Sequence, residues 1–326
     1  MDTEPIFNQR VDLAGLREGV ERMRQEIGKI VVGQAKMVDL LIVALLADGH
    51  VLIEGVPGIA KTLTAKLLAK TFSVDFSRIQ FTPDLMPSDV LGTSVYNQQK
   101  GAFEFKRGPV FSNIVLIDEI NRAPAKTQAA LFEVMEERQV TMDGTTYPMD
   151  YPFVVLATQN PIEQEGTYRL PEAQLDRFLF KIEVEYPNLS EEEAIIQGHH
   201  ERRNTQPFDQ IQPVLTGEQV RELRGKVQDI HLEPHLIKYI ARIVHDTREN
   251  QSLYLGASPR ASIAILNASK AMAAIGGRDF VTPEDIREVT PAVLRHRIIL
   301  TPEREMEGIQ PGEVIQEIIR KIEVPR

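Results

Sequence analysis

The segment that most constrains this chain is an eight-residue loop between an apolar run and a stretch of helical composition. The loop is Gly55-Val56-Pro57-Gly58-Ile59-Ala60-Lys61-Thr62, and it follows Val51-Leu52-Ile53. A strand, loop and helix in this order turn backbone N–H groups and a helix N-terminus toward an oligophosphate. We expect Lys61 to reach the β and γ phosphates and the Thr62 hydroxyl to bind Mg²⁺.

One position departs from the phosphate-loop pattern G-x-x-x-x-G-K-[ST], because Ala60 stands where the pattern has its last glycine. If the backbone at position 60 has a negative φ, alanine adds only a methyl group and the loop tolerates it. The alternative interpretation is a Gly/Pro turn that merely joins a strand to a helix.

A second apolar run ends in two adjacent carboxylates. Asp118 and Glu119 directly follow residues 114–117, Ile-Val-Leu-Ile. Because the carboxyl ends of parallel strands open at the ligand crevice, we expect both acids beside the phosphate loop. Asp118 is predicted to hold Mg²⁺, directly or through water, and Glu119 to act as general base on the attacking water. The alternative is an acidic helix N-terminus favoured by the helix dipole, since residues 124–138 have helical composition.

A third apolar run, residues 153–157, ends in Thr158-Gln159-Asn160-Pro161. The Asn160 amide is suited both to donate to a γ-phosphate oxygen and to orient a water against Glu119. Taken alone, an asparagine before a proline is a turn former. Here it ends the third strand-like run in a row that finishes in polar side chains.

Together these segments resemble those of the MoxR-type AAA+ ATPases. Five motifs stand in that family's order: GVPGIAKT at 55–62, VLIDEINRAP at 115–124, ATQNP at 157–161, LPEAQLDRF at 170–178 and GASPRAS at 256–262. The resemblance implies that the first motif is the Walker A loop, in which alanine before the lysine also occurs. It further implies that Asp118 and Glu119 are the Walker B pair and that Asn160 is sensor 1.

Two arginines carry further expectations. The resemblance implies that Arg260 is the sensor 2 arginine and that Arg177 is a finger presented to the neighbouring subunit's nucleotide. The alternatives are a salt bridge from Arg177 to a nearby acid such as Asp176 or Glu172, and a helix-start arginine at position 260. Arg122 is a further candidate for a phosphate or intersubunit contact.

The resemblance also implies a wider nucleotide-binding set, namely Val32, Gly33, Gly55, Pro57, Gly58, Ile59, Ala60, Lys61, Thr62 and Leu63. Of these, Val32 and Gly33 lie in a short linker that in the family contacts adenine, although the linker is equally interpretable as a helix break at Gly33. Thr62 and Asp118 are the expected metal ligands. Gln80 ends a predicted strand and is interpreted as an ordinary sheet-end glutamine, the alternative being that it holds Glu119 inactive until assembly.

The expected fold is an α/β P-loop core of the AAA+ type with a five-stranded parallel sheet, followed by a small all-helical lid. We expect an N-terminal helical linker at 1–34, the nucleotide-binding core at 35–187 and the lid at 188–326. Two hairpins are predicted, at 93–105 and at 139–149, the second around the Asp143-Gly144 turn. The resemblance implies that both face the central pore of a ring, where they would contact substrate.

The composition of the chain indicates which kind of macromolecule it binds. The net charge is −10, from 47 acidic and 37 basic residues, and no dense Lys/Arg cluster appears, which favours protein partners over nucleic acid. An acidic ring with a basic pore stays an alternative. No apolar run is long enough for a membrane span, and the acidic start of the chain differs from a secretory leader, so we expect a cytoplasmic protein. There is no cysteine, and His199, His200, His231 and His235 are interpreted as structural or surface residues.

The expected activity is therefore Mg²⁺-dependent ATP hydrolysis in a homo-oligomeric ring, a hexamer by family analogy. Chaperone-like remodelling or maturation of a client protein would be the work done, with a von Willebrand factor A-type partner implied by the resemblance. Two alternatives stay open: a nucleic-acid motor of the same superfamily, and a switch that binds ATP without hydrolysing it.

Overall fold

A computed structural model describes residues 11–56, 58–160, 168, 170–202 and 207–324 of the chain. These residues divide into two compact units, of which one is formed within Met23–Val220 and the other by the described residues outside that range. The three segments expected from the sequence, 1–34, 35–187 and 188–326, remain a prediction.

The helices, in chain order, are α1 (Ala14–Gly28), α2 (Ala35–Leu46), α3 (Lys61–Thr71), α4 (Pro87–Leu91), α5 (Ala125–Glu137), α6 (Glu172–Leu175), α7 (Leu189–Arg202), α8 (Gly217–Gln228), α9 (Pro234–Glu249), α10 (Pro259–Ile275), α11 (Pro283–Leu294), α12 (Pro302–Met306) and α13 (Pro311–Lys321). The strands are β1 (His50–Gly55), β2 (Phe76–Gln80), β3 (Gly92–Asn97), β4 (Ala102–Arg107), β5 (Ile114–Asp118), β6 (Gln139–Met142), β7 (Thr145–Pro148), β8 (Val154–Gln159), β9 (Phe178–Val184), β10 (Leu253–Leu255) and β11 (Ile299–Leu300).

The first unit is built on a parallel sheet with the strand order β2-β5-β8-β1-β9. This confirms the predicted five-stranded parallel sheet. All residues of β5 are buried, as expected of a central strand that is covered by helices on both faces. Because β5, β8 and β1 are neighbours, their carboxyl ends lie side by side, and the residues that follow these ends are brought to one edge.

A buried histidine at the start of β1 joins three elements of this unit. His50 is 4% exposed. Its Nδ1 accepts a hydrogen bond of 2.9 Å from the Val155 N–H, and its Nε2 lies 3.1 Å from the Met135 carbonyl oxygen. A neutral ring with the proton on Nε2 satisfies both contacts, so the residue ties β1 to β8 and to the end of α5.

Both predicted hairpins are present. Strands β3 and β4 pair antiparallel, and so do β6 and β7. The turn of the second hairpin has positive φ at Asp143 and Gly144, 51° and 77°, as a two-residue type I′ turn requires. The hairpins also contact each other, because the Ser94 hydroxyl donates to the Asp143 carboxylate.

The second unit is mainly helical, as predicted for the lid. It also contains a short antiparallel ladder between β10 and β11, which the sequence analysis did not predict. The start of α11 is fixed by Asp285, which is 3% exposed and accepts from Arg278 Nη2 at 2.6 Å and from the Thr282 N–H at 2.8 Å. This ion pair raises the pKa of Arg278 above its usual value. No helix in the described ranges has the length and apolar character needed to cross a bilayer.

Candidate functional site

The loop that follows β1 leads into the N-terminus of α3. Gly58 has φ +89°, and the Cβ of a larger residue there would meet no atom within 4 Å, so the loop is open on this side. Ala60, the N-cap residue of α3, makes no side-chain capping hydrogen bond to the first turn of the helix. An uncapped helix N-terminus after a glycine-containing loop is suited to an anion. Pro57, which belongs to the predicted binding set, lies outside the described residues.

Ala60 does not meet the condition, a negative φ, under which the sequence analysis expected the loop to tolerate alanine. Its φ is 61° and its ψ is 16°, in the left-handed region. The reason is that the chain must reverse its handedness just before α3, which a glycine does without strain and an alanine does at about 1–2 kcal/mol. The carbonyl of Ala60 accepts from Thr64 twice, from the N–H at 2.8 Å and from the hydroxyl at 3.0 Å, and these bonds hold the turn.

Lys61 folds back across the loop, and its ammonium donates to the Gly55 carbonyl. Gly55 itself allows no side chain, since a Cβ would lie 2.5 Å from Ile59 Cδ1 and 2.9 Å from the Val184 carbonyl oxygen. Ile59 is 7% exposed, whereas Leu63 is partly buried in the first turn of α3. Within the loop, Ile59 is therefore buried against Gly55, and the side chain of Lys61 connects the end of the loop to its start.

The two expected metal ligands lie together. Asp118, at the end of β5, is 6% exposed, and the Thr62 hydroxyl oxygen lies 3.4 Å from each of its carboxylate oxygens. Two further groups contact the carboxylate: the Thr158 hydroxyl donates to Oδ1 at 3.1 Å, and Arg78 Nε donates to Oδ2 at 2.6 Å. Sequence reasoning assigned no role to Thr158 or Arg78. Two features of the sequence could have indicated these contacts. Thr158 belongs to the polar residues that end the third apolar run, and Arg78 lies two residues before Gln80, on the same face of β2.

Glu119 turns away from the strand direction directly after β5. Its φ is 56°, and its N–H donates to the Thr158 hydroxyl at 3.1 Å. Its Oε2 accepts from Gln80 Nε2 at 2.8 Å and from Arg122 Nη1 at 3.0 Å. Gln80 is therefore more than the ordinary sheet-end residue of our first interpretation, because it bonds the candidate general base directly. In this arrangement two donors contact one oxygen of the Glu119 carboxylate, Oε2.

Asn160 directly follows β8 and is partly buried. Since β8 lies between β5 and β1 in the sheet, the backbone of Asn160 leaves the same edge as Asp118 and the phosphate loop. The proline after it lies outside the described residues.

Arg177, immediately before β9, is bonded within its own unit. Its Nη1 donates to the Phe132 carbonyl at 2.7 Å and lies 3.4 Å from Glu136 Oε2, so its acidic partner is on α5. The alternative from the sequence was a salt bridge to a nearby acid, with Asp176 and Glu172 as examples. Arg177 does form an ion pair, but with Glu136, which was not named because it is distant in sequence. Arg260 is exposed in the first turn of α10, in the other unit, at a helix start.

The linker between α1 and α2 contains the break that was predicted at Gly33, where φ is +76°. A Cβ on this residue would lie 2.6 Å from the carboxyl carbon of Glu191, at the start of α7. Val32 beside it is partly buried. The N-terminus of α7 thus lies against the segment that the resemblance links to adenine.

Comparison with known proteins identifies the family. Residues 50–180 match the ATPase family associated with various cellular activities (AAA), and residues 245–318 match the AAA lid domain. Chaperone MoxR1 of Mycobacterium tuberculosis is 46% identical over 94% of this chain and 82% of its own length. The chain belongs to the MoxR family of AAA+ ATPases.

Two further proteins are similar over nearly the whole chain. YeaC of Bacillus subtilis is 47% identical over 92% of this chain and 93% of its own length. A crystal structure of a candidate ATPase from Cytophaga hutchinsonii superposes with a TM-score of 0.89 at 47% identity, covering 97% of each chain. The AAA match includes the phosphate loop, Asp118, Glu119, Asn160 and Arg177, and the lid match includes Arg260. Membership of the AAA+ family implies that the protein binds nucleotide.

Proposed function

We propose that this MoxR-family protein binds ATP with Mg²⁺ at the loop between β1 and α3 and hydrolyses it to ADP and phosphate. The observation that carries the proposal is the meeting of the uncapped α3 N-terminus with the Thr62–Asp118 pair, directly beside Glu119. Protein groups suited to bind a phosphate, to bind a hard cation and to act as a general base thus lie within one small region.

The donor set fits Mg²⁺. The distance of 3.4 Å between the Thr62 hydroxyl oxygen and the Asp118 carboxylate oxygens is longer than that of a good O–H···O hydrogen bond. These oxygens are therefore not engaged in a strong hydrogen bond with each other. Mg²⁺ prefers oxygen ligands and is commonly held by one or two protein oxygens together with water and substrate phosphates. Thr62 and Asp118 would hold it, and when bound it would neutralise charge on the phosphate oxygens.

The protein's own groups have separate tasks in this mechanism. The Lys61 ammonium leaves the Gly55 carbonyl and donates hydrogen bonds to phosphate oxygens instead. The N–H groups in the first turn of α3 also donate to the phosphates. Glu119 takes a proton from the attacking water. Asn160 orients that water and donates to the γ-phosphate. Val32 and Gly33 would lie against the adenine.

We further propose that the protein acts as a homo-oligomeric ring, a hexamer by family analogy, in which Arg177 reaches the neighbouring nucleotide and Arg260 the γ-phosphate. Remodelling of a client protein in the cytoplasm, with a von Willebrand factor A-type partner, is the work we assign to it. Support for this comes from a relative that is named Chaperone MoxR1 and from the two hairpins, which project polar and aromatic side chains.

Phosphate release tests the activity. The wild type should release phosphate from ATP when Mg²⁺ is present, and Glu119→Gln should still bind a fluorescent ATP analogue while releasing phosphate at least about a hundredfold more slowly. Glu249→Gln, the same change at an exposed position on α9, is the matched control and should keep the wild-type rate.

Three results would contradict parts of the proposal. Full-speed release by Glu119→Gln would remove that residue from the role of base. ATP binding by the wild type without any phosphate release, in assembled rings with client and partner present, would favour the non-hydrolysing switch. Stimulation of release by nucleic acid alone would favour the motor.

A further inference from the structure

The edge strand β2 places a positive charge on the carboxylate that is the expected metal ligand. Arg78 Nε lies 2.6 Å from Asp118 Oδ2, and the side chains of the two residues are 48% and 9% exposed, respectively. Within the described residues, the neutral hydroxyls of Thr62 and Thr158 also contact the Asp118 carboxylate. Arg78 is therefore a cation paired with this buried carboxylate.

The position of Arg78 follows from strand register. Strands β2 and β5 pair in parallel with Gln80 opposite Asp118 and Arg78 opposite Leu116. Arg78 and Gln80 are two residues apart, so they share one face of the strand, and both are exposed. From that face Arg78 reaches the first acid, whereas Gln80 reaches the second, with Nε2 2.8 Å from Glu119 Oε2.

A guanidinium and Mg²⁺ compete for the same carboxylate. With Arg78 bonded to Oδ2, a divalent cation at Asp118 would lie within a few ångströms of a like charge, which is unfavourable in a partly buried site. Arg78 is nearly half exposed, so its side chain can leave toward solvent, whereas Asp118 cannot. The two side chains are also linked to the base, since Arg78 Nη2 lies 3.5 Å from the Gln80 Oε1.

We propose that Arg78 is a built-in counter-cation of Asp118 that competes with Mg²⁺ and is displaced when the magnesium nucleotide binds. This inference rests on the proposed function and specifies how its metal requirement is regulated. Arg78 is a positioning residue in this scheme, because it sets the Mg²⁺ concentration at which Asp118 becomes available and does not itself touch the reacting atoms.

The test is the Mg²⁺ dependence of binding of fluorescent mant-ADP, which is measured without turnover. Arg78→Gln should lower the Mg²⁺ concentration at half-maximal binding by about three- to fivefold, as expected for loss of a half-exposed ion pair. Binding in excess chelator should not improve, since the substitution removes a positive charge near the phosphates. The melting temperature without ligand should fall, and the rise on adding Mg²⁺ and ADP should exceed that of the wild type.

Arg122→Gln is the matched control, because it removes the same charge from a contact with Glu119 rather than Asp118. Its shift in the Mg²⁺ requirement should be much smaller than that of Arg78→Gln. Equal shifts in both variants would reveal a general charge effect and would overturn the proposal, as would an unchanged or increased Mg²⁺ requirement in Arg78→Gln. If Arg78→Gln fails to fold, Arg78→Met, which keeps the aliphatic stem, is measured against the same criterion.

The outcomes also separate this inference from the function on which it rests. A folded wild type that binds no adenine nucleotide at any Mg²⁺ concentration would remove the proposed function, and this inference with it. Normal binding by the wild type with no effect at position 78 would remove this inference alone.

Discussion

The ring of Phe105 stacks on that of Tyr147, with centroids 4.5 Å apart and planes 30° apart. Phe105 belongs to β4 and Tyr147 to β7, so one aromatic contact joins the two hairpins. The Ser94–Asp143 hydrogen bond adds a second link. The hairpins predicted separately from the sequence are therefore one structural element, whose distal end carries the exposed pair Tyr96 and Phe103.

Phe105→Ala should loosen both hairpins together. Phe105 also packs edge-on against Phe111 at 5.9 Å, and we expect its truncation to cost about 1–3 kcal/mol of unfolding free energy. Amide hydrogen exchange should become faster in β3–β4 and in β6–β7. Phe103→Ala, at a site that is 72% exposed, is the control and should leave β6–β7 unchanged. Faster exchange confined to β3–β4 in Phe105→Ala would show that the hairpins are independent.

Lys61→Met should weaken ATP binding by roughly tenfold or more, because a charge-assisted contact to phosphate is lost while the aliphatic stem remains. The dissociation constant of a fluorescent ATP analogue measures this directly. Lys66→Met changes an exposed lysine on the same helix and should bind ATP with nearly wild-type affinity. Equal affinities of Lys61→Met and the wild type would exclude the loop as the phosphate site.

Ala60→Gly should stabilise the protein by about 1 kcal/mol, since glycine adopts a φ of 61° without the strain of a Cβ. Urea unfolding without nucleotide provides the measurement. Gly58→Ala is the reverse experiment at φ +89°, where a Cβ has open space, so its expected loss of stability comes from the backbone alone. Destabilisation by Ala60→Gly would mean that unfolded-state entropy outweighs the strain.

Arg177→Ala should lower phosphate release by roughly a thousandfold if the residue acts as a finger between subunits. Mixing it with Glu119→Gln should restore part of the activity, since some interfaces then combine an intact base with an intact arginine. Glu136→Gln removes the present acidic partner of Arg177 and should not reduce the rate comparably. Mixed rings that assemble fully but show no recovery would contradict a role in a neighbouring subunit.

The sequence predicted those parts of the fold that depend on local pattern. Apolar runs that end in polar residues correctly indicated β1, β5 and β8, and the Asp143-Gly144 pair indicated its hairpin. Convergence of these strand ends followed from the general behaviour of parallel sheets. The individual roles within the site remain predictions, although the geometry brings Thr62, Asp118 and Glu119 together.

The contacts that were missed depend on which distant segments become neighbours. Arg78 reaches Asp118 because β2 pairs with β5, although β3 and β4 lie between them in sequence. Arg177 finds Glu136 for a similar reason, since β9 and α5 are far apart along the chain. The sign of φ at Ala60 stayed open in the sequence analysis, because the way the chain enters α3 determines it.

Helix α5 ends at Glu137, and β6 begins at Gln139, so the second hairpin continues almost directly from the helix. The last turns of α5 carry the Phe132 carbonyl and the Glu136 carboxylate, which are the two groups that hold Arg177. A load applied at the hairpin would therefore act directly on the groups that hold Arg177, because they lie at the helix end from which the hairpin continues. In the ring proposed above, traction on a bound polypeptide would in this way change how firmly Arg177 is retained by its own subunit.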